Sequence, residues 1–172
     1  MFGMSLPTLD EKLSGVYEPH APGPSAKLKV LRAAKEAGLH VYVAMAPTLP
    51  DEGRPELTKL LATIADLKPL TIFHEPINVR AENVARIQIK ARELGRPIRG
   101  EVFETPSRWR EYAFGQLALV EQIAKELKIP EGVLHLWPDK VLGRKSGFMK
   151  MKADAAMSAG AMPCWRHVGR WW

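Results

Sequence analysis

Two short apolar runs, separated by an amphipathic stretch, stand out in the centre of the chain. The first, residues 40–46, is rich in β-branched side chains and stops at Pro47-Thr48-Leu49-Pro50, which predicts a buried strand ending in a rigid turn. The second covers residues 70–76. Between them, apolar side chains recur at the spacing of one helix face: Leu57, Leu60, Leu61, Ile64 and Leu67. A strand, a helix and a strand in this order predict a βαβ unit, and therefore a parallel sheet.

The residues before this unit extend the alternation of strands and helices. Residues 2–7 are typical of the last part of a strand, and a short helix is expected to begin at Thr8 or Asp10 and to end at Leu13. Residues 18–24 contain three prolines, which predicts a loop. Ser25 is suited to cap the next helix, and Gly38 is suited to end it.

The second half of the chain continues the same pattern. Helices are expected at about 81–94 and 107–127, and a further strand at 133–137. The whole predicts an α/β fold: a partial (β/α) barrel fragment in which a small parallel sheet is flanked by helices. We expect this domain to occupy residues 1–147, and residues 148–172 to form a loosely ordered, basic tail that contains tryptophans.

The net charge of +6 suggests a nucleic-acid partner, but the charge is unevenly distributed. The segment from Arg144 onward carries a net charge of +5, which leaves only +1 for residues 1–143. The tail also mixes cationic and aromatic side chains, a combination that can stack on single-stranded nucleic acid: Trp165, Arg166, Arg170 and Trp171. A short unpatterned tail produces such a cluster by composition alone, so both interpretations stay open.

Metal chemistry finds little support in the sequence. Cys164 is the only cysteine, which excludes an internal disulfide and any cysteine-only site made by one copy of the chain. The five histidines show no i, i+4 pair, so we predict no metal site. No apolar run approaches the roughly 18 residues that a membrane span needs, and no signal peptide is evident, so we expect a cytoplasmic protein without a membrane partner.

Several short motifs resemble the second half of a radical S-adenosylmethionine enzyme. They are Ser5-Leu6-Pro7-Thr8-Leu9-Asp10, Glu18-Pro19, Ala46-Pro47-Thr48-Leu49-Pro50, Glu75-Pro76-Ile77-Asn78 and Leu136-Trp137-Pro138-Asp139-Lys140. Their order and spacing resemble the DNA-repair-photolyase-like branch that includes spore photoproduct lyase. The resemblance covers about residues 2–142.

The resemblance implies an incomplete (β/α) barrel that binds S-adenosylmethionine across the carboxyl ends of its strands, beside a [4Fe-4S] cluster held by a CxxxCxxC motif. This sequence has no CxxxCxxC, and it resembles only the end of the fourth strand and the fifth and sixth strands with their helices. Cluster ligands are usually cysteine thiolates, and Cys164 alone cannot hold a cluster. The chain is therefore expected to supply cofactor and substrate walls of a lyase-like enzyme and to be inactive alone. Two alternatives stay open: a truncated gene product, or one half of an enzyme that works with a separately encoded, cluster-bearing N-terminal half.

By the same resemblance, cofactor contacts come from Ser5 near the ribose and from Ala46 and Pro47 near the adenine. Glu18 would cover the cofactor, and Lys27 would reach its carboxylate. Each of these residues also has a purely structural interpretation. Ser5 can be a strand-end hydroxyl, Pro47 a loop stiffener, and Glu18 and Lys27 solvated surface charges.

Glu75 is the candidate catalytic residue. Glu75 and His74 come at the carboxyl end of a predicted strand, which is the functional edge in barrels of this type. Because neighbouring side chains of a strand point to opposite faces, at most one of the two points into the mouth of the barrel. The structural alternative for Glu75 is an ion pair with Arg80.

A second functional class remains open. The chain could be a non-catalytic remnant that acts as an oligomerisation or nucleic-acid-binding module through its tail. An incomplete barrel has an unpaired strand edge, which favours association with another chain. A homo-oligomer is therefore an expected partner state under either interpretation.

Overall fold

Four parallel strands form the centre of the fold in the computed structural model, which describes residues 1–80 and 82–136. They are β1 (Phe2–Ser5), β2 (Val41–Thr48), β3 (Thr71–Pro76) and β4 (Leu134–Leu136). Their order in the sheet is their order in the chain, and every neighbouring pair is parallel. This is also the order of neighbouring strands in a (β/α) barrel.

Helices connect the strands. They are α1 (Glu11–Tyr17), α2 (Pro24–Glu36), α3 (Arg54–Asp66), α4 (Asn83–Glu93) and α5 (Pro106–Glu126), and a short 3-10 helix covers Gly100–Phe103. The predicted α/β fold, with a small parallel sheet flanked by helices, is confirmed. The predicted 148–172 tail lies outside the described residues, and so does the end of the last predicted strand.

The two faces of the sheet differ in burial. On β2 and β3, fully buried residues alternate with partly exposed ones, so one face is covered and the other is half-open. The covered face includes Val43, Met45 and Ile72, all without exposed surface. The stripe predicted for α3 is confirmed, since Leu57, Leu60, Leu61 and Ile64 are likewise completely buried. Helix α5 contacts α3, β3 and β4, and adds its own apolar side chains to this core.

Aromatic rings cross the half-open face. Tyr42 meets Phe73 edge-to-face, with 5.9 Å between ring centroids, and Phe73 lies 5.8 Å from the His135 ring. On the other side of Tyr42, its ring occupies the space in which a side chain at Gly3 would stand. The row therefore spans all four strands.

A second apolar cluster lies beyond the carboxyl ends of β2 and β3. It joins α1 and α4 to the residues that follow the two strands, and its buried members are Leu13, Val16, Leu49, Ile77, Ile87 and Ala91. Each βα connection is short, so burying these side chains fixes α1 and α4 close to the carboxyl edge of the sheet. This cluster determines where the loops at that edge lie.

Three sequence predictions about element ends were wrong. Ser25 does not cap α2, because the helix already begins at Pro24 with Gly23 as its N-cap, and proline is favoured at the first helical position. Strand β2 does not stop before Pro47 but continues through Thr48. Helix α1 extends to Tyr17, beyond the predicted end at Leu13, and Asp10 caps it by accepting from the backbone N–H groups of residues 12 and 13.

Candidate functional site

A cleft of about 530 Å³ opens at the carboxyl edge of the sheet. The ends of β2 and β3 form part of it, together with the end of α1 and the start of α4. Its apolar lining includes Val16, Tyr17, Pro19, Pro47, Pro76 and Ile87, and its polar lining includes His20, Glu75, Asn78, Arg80, Asn83 and Arg86. A concave, largely apolar site with a few convergent polar groups is typical of small-molecule binding.

The wall contributed by β2 is a β-bulge. The regular pairing with β3 ends at Met45 opposite His74 and resumes at Thr48 opposite Pro76, so β2 carries one extra residue between them. That bulge contains Ala46 and Pro47, which are joined by a cis peptide bond. Both residues line the cleft. Bulges beside binding sites re-aim the chain in this way.

Glu75 lines the cleft, whereas its neighbour His74 points into the covered face of the sheet. The prediction that at most one of them points into the mouth is confirmed. The ion pair with Arg80, which was the structural alternative, is also present, with 3.8 Å between Arg80 Nη2 and Glu75 Oε1. That separation is long for a hydrogen bond, and the Arg80 side chain is 71% exposed, so the pair adds little stability.

His74 is a structural residue. It is completely buried, and its Nε2 lies 3.0 Å from the hydroxyl of Thr48. Burial lowers the pKa of His74 to about 3, so the imidazole is neutral at physiological pH. Its Nδ1 has no hydrogen-bond partner.

The side chain of Asn83 makes two hydrogen bonds to the loop at the polar rim of the cleft. Asn83 Nδ2 donates to the backbone oxygen of Asn78 at 2.7 Å, and the Arg80 N–H donates to Asn83 Oδ1 at 3.0 Å. Both bonds close the loop that leads from β3 into α4. Arg80 therefore lies on a loop that is closed by hydrogen bonds, and Arg86 lies in the first turn of α4.

Of the remaining predicted cofactor contacts, none lines the cleft. Ser5 ends β1 at the same edge of the sheet but outside the cleft lining. Lys27, for which the sequence predicts either a surface position or a cofactor contact, is neither exposed nor part of the cleft lining. Only 3% of its side chain is exposed, and its Nζ donates to Glu18 Oε2 at 2.6 Å. Lys27 and Glu18 therefore form an ion pair with each other.

Sequence reasoning missed Tyr17, Asn83 and Arg86 as cleft residues. Tyr17 forms part of the apolar wall, and its hydroxyl donates to Asp51 Oδ2 at 2.6 Å. Burial, reinforced by that bond, raises the pKa of Tyr17. The only sequence signal was an aromatic residue next to the proline-rich loop, which does not by itself predict which cavity the ring faces.

A buried carboxyl group lies near the cleft, outside its lining. Glu52 is only 5% exposed, and its Oε1 accepts from the hydroxyl of Thr8 at 2.5 Å. Burial raises the pKa of Glu52 to about 7, with a further contribution from the neighbouring Glu56, Asp10 and Asp51. The Oε2 atom of Glu52 and the Oε1 atom of Gln116 are both buried without a hydrogen-bond partner.

Within residues 1–80 and 82–136, no group of three or more His, Cys, Asp or Glu side chains could hold a metal ion. In the same part of the chain, no helix is both long and apolar enough to cross a bilayer. The proposed nucleic-acid contacts Trp165, Arg166, Arg170 and Trp171 lie outside the described residues.

The fold and the cleft define an α/β protein with a ligand-sized site at the carboxyl edge of a parallel sheet. No family model matches the sequence, and no solved structure matches it. The chain is similar to a protein described as "Uncharacterized protein ORF301" from Acidianus two-tailed virus, with 37% identity over 90 residues. The match covers 49% of this chain but only 30% of the viral protein, so the chain spans less than a third of that relative's length.

Proposed function

We propose that this chain is the C-terminal wall of a cytoplasmic radical S-adenosylmethionine enzyme of the lyase-like, DNA-repair-photolyase branch. One observation carries the proposal: Ala46, Pro47 and Glu75, selected from sequence motifs, come together in one cleft at the carboxyl edge of the sheet. Ala46 and Glu75 are 29 positions apart in the chain, and they meet because they lie at the carboxyl ends of neighbouring parallel strands. The sequential order of the parallel strands supports the same barrel.

The cleft suits the nucleoside part of S-adenosylmethionine. Its volume is in the range of small-molecule sites, and Tyr17, Pro47 and Pro76 provide an apolar surface for a flat base. Asn78 and Arg80, on the loop before α4, line the same cleft, where the ribose and the amino-acid end would lie. The chemistry that the bound cofactor supplies is radical formation by reductive cleavage of its sulfonium group.

The iron–sulfur cluster does not fit this chain. Its ligands are usually cysteine thiolates, and the sequence contains only Cys164. The cluster must therefore be held by cysteines outside this sequence. In the proposed enzyme the residues of this chain bind and orient the cofactor, and the carboxylate of Glu75 orients the reacting groups at the cleft mouth.

A partner that completes the barrel is part of the proposal. Among the described strands, β1 pairs only with β2, and β4 pairs only with β3, which leaves two outer edges. The half-open face with Tyr42 and Phe73 is the face that would line a barrel interior. Unpaired edges and a half-open aromatic face both favour a second chain or segment.

The test is calorimetric titration of the full chain with S-adenosylhomocysteine, which cannot be cleaved to a radical. Ala46→Leu should weaken binding at least tenfold because the added side chain occupies the cleft. Ala37→Leu is the matched control, since residue 37 is exposed at the end of α2 and the substitution should leave the affinity unchanged. If the wild type binds neither S-adenosylhomocysteine nor S-adenosylmethionine at millimolar concentration, the proposal is wrong.

A further inference from the structure

Three side chains on one face of α5 reach backbone groups at the ends of β2 and β3. Trp109 Nε1 donates to the oxygen of Ile77 at 2.8 Å. The hydroxyl of Tyr112 donates to the oxygen of Thr48 at 2.6 Å and accepts from the N–H of Ile77 at 3.3 Å. Gln116 Nε2 lies 3.4 Å from the Leu49 oxygen and 3.3 Å from that of Glu52. We call Trp109, Tyr112 and Gln116 the α5 latch.

The latch contacts the sheet where the pairing between β2 and β3 is interrupted. Regular pairing between β2 and β3 is interrupted by the bulge between Met45 and Thr48, and Pro47 has no N–H to donate. Beyond the bulge, the Ile77 N–H donates to the Thr48 oxygen at 3.0 Å. Tyr112 bonds to both of these groups, so one hydroxyl closes a triangle that ties the two strand ends together.

The groups that the latch holds are next to the cleft walls in sequence. Thr48 follows Ala46-Pro47 directly, and Ile77 follows Glu75-Pro76. Because a backbone has only two soft torsions per residue, fixing Thr48 and Ile77 restricts the residues one or two positions before them. Trp109 is only 7% exposed, and the partly buried Tyr112 packs against the second apolar cluster. They are rigid supports rather than mobile contacts.

We propose that the α5 latch positions the walls of the cleft, with Tyr112 as its central positioning residue. The separation of Ala46 from Glu75 then depends on the hydroxyl of a residue that lies outside the cleft lining. This inference concerns the shape of the cleft and holds for any ligand, so it stands independently of S-adenosylmethionine binding.

The test compares Tyr112→Phe with the wild type by NMR. The substitution keeps the partly buried ring and removes only the hydroxyl, so the fold should survive. Amide exchange of Ile77 should accelerate about fivefold relative to that of Ile72, a core amide bonded to the Val133 oxygen at 2.7 Å. The methyl signal of Ala46, read in alanine-labelled protein, should shift or broaden without any ligand.

Ile123→Val is the matched control, because it removes one methylene from the same helix at a completely buried position. It should lower stability comparably but leave both the Ile77 to Ile72 exchange ratio and the Ala46 signal unchanged. The proposal is overturned if Tyr112→Phe leaves the exchange ratio as it is, or if the ratio changes while the Ala46 methyl does not. A failure of the wild type to bind S-adenosylhomocysteine would count against the proposed function alone, since both latch measurements are made without ligand.

Discussion

The carboxyl group of Glu52 should make the stability of this protein fall as the pH rises toward neutrality. Its pKa is raised by burial from the ordinary 4.5 to about 7. Between these two values the folded protein keeps a proton that the unfolded chain has released. The folded state therefore binds more protons, and the free energy of unfolding decreases with rising pH until it levels off above pH 7.

The magnitude follows from the size of the shift. One pKa unit corresponds to about 1.4 kcal/mol, so a fully developed shift from 4.5 to about 7 costs about 3 kcal/mol at high pH. Between pH 5 and pH 8 the wild type should lose about 2.5 kcal/mol through this group. Glu52→Gln removes the titration and keeps an oxygen that can accept from Thr8.

The assay is urea unfolding, followed by circular dichroism, at pH 5 and pH 8. The stability of Glu52→Gln relative to the wild type should increase by about 2.5 kcal/mol from the lower to the higher pH. Taking the difference between the two proteins cancels other titrations, including that of His74. Ala37→Leu is the control, because residue 37 is exposed at the end of α2 and the substitution removes no titrating group, so it should give the same difference at both pH values. A Glu52→Gln difference that stays constant within about 0.5 kcal/mol would refute the reasoning.

Three further outcomes follow from the described residues. The buried His74, whose pKa is lowered to about 3 from 6.5, contributes stability that is present above pH 6.5 and lost on acidification. Between pH 6.5 and pH 5 the wild type should therefore lose about 1.5 kcal/mol more than His74→Leu, measured by the same unfolding curves; equal losses would contradict this. Lys27→Met should destabilise by about 1–2 kcal/mol, since Glu18 loses its partner, and the double variant with Glu18→Gln should recover most of the loss; no recovery would mean that the loss does not come from an unpaired Glu18 carboxylate. Light scattering after size exclusion should give a dimer or larger species because of the outer edges of β1 and β4, and a sharp monomer would count against it.

The elements that short-range patterns determine were predictable from the sequence. The leucine stripe of α3 has the 3.6-residue period of a helix, and the runs before and after it are short and rich in the β-branched, aromatic and apolar residues that strands favour. Gly38 and Gly95 adopt the positive φ angles, 76° and 58°, that end a helix. The start of α2 was not predictable to the residue, because Pro24 and Ser25 both suit a helix N-terminus.

The site could be predicted only in part, for a physical reason. Residues that end neighbouring parallel strands reach the same edge of the sheet, so Ala46, Pro47 and Glu75 could be placed together from chain order alone. Tyr17 and Arg86 reach the cleft through the packing of α1 and α4, which is set by a long-range apolar cluster. No local pattern contains that information.

The Lys27–Glu18 ion pair is another contact that local sequence patterns could not predict. A lysine at a helix start is exposed by default, and only the return of the preceding loop brings a carboxylate within 2.6 Å. The burial of Glu52 is likewise a tertiary effect, since Thr8 and Gln116 come from 44 and 64 positions away.

The ring of Tyr42, which lies on Gly3, has an evolutionary consequence. A side chain at position 3 would collide with the ring, so it fits only where the ring of Tyr42 moves aside or position 42 carries a smaller residue. Changes at these two positions are therefore coupled in evolution. A smaller residue at position 42 would also remove one end of the aromatic row, so Phe73 would lose its edge-to-face contact and keep its contact with the His135 ring.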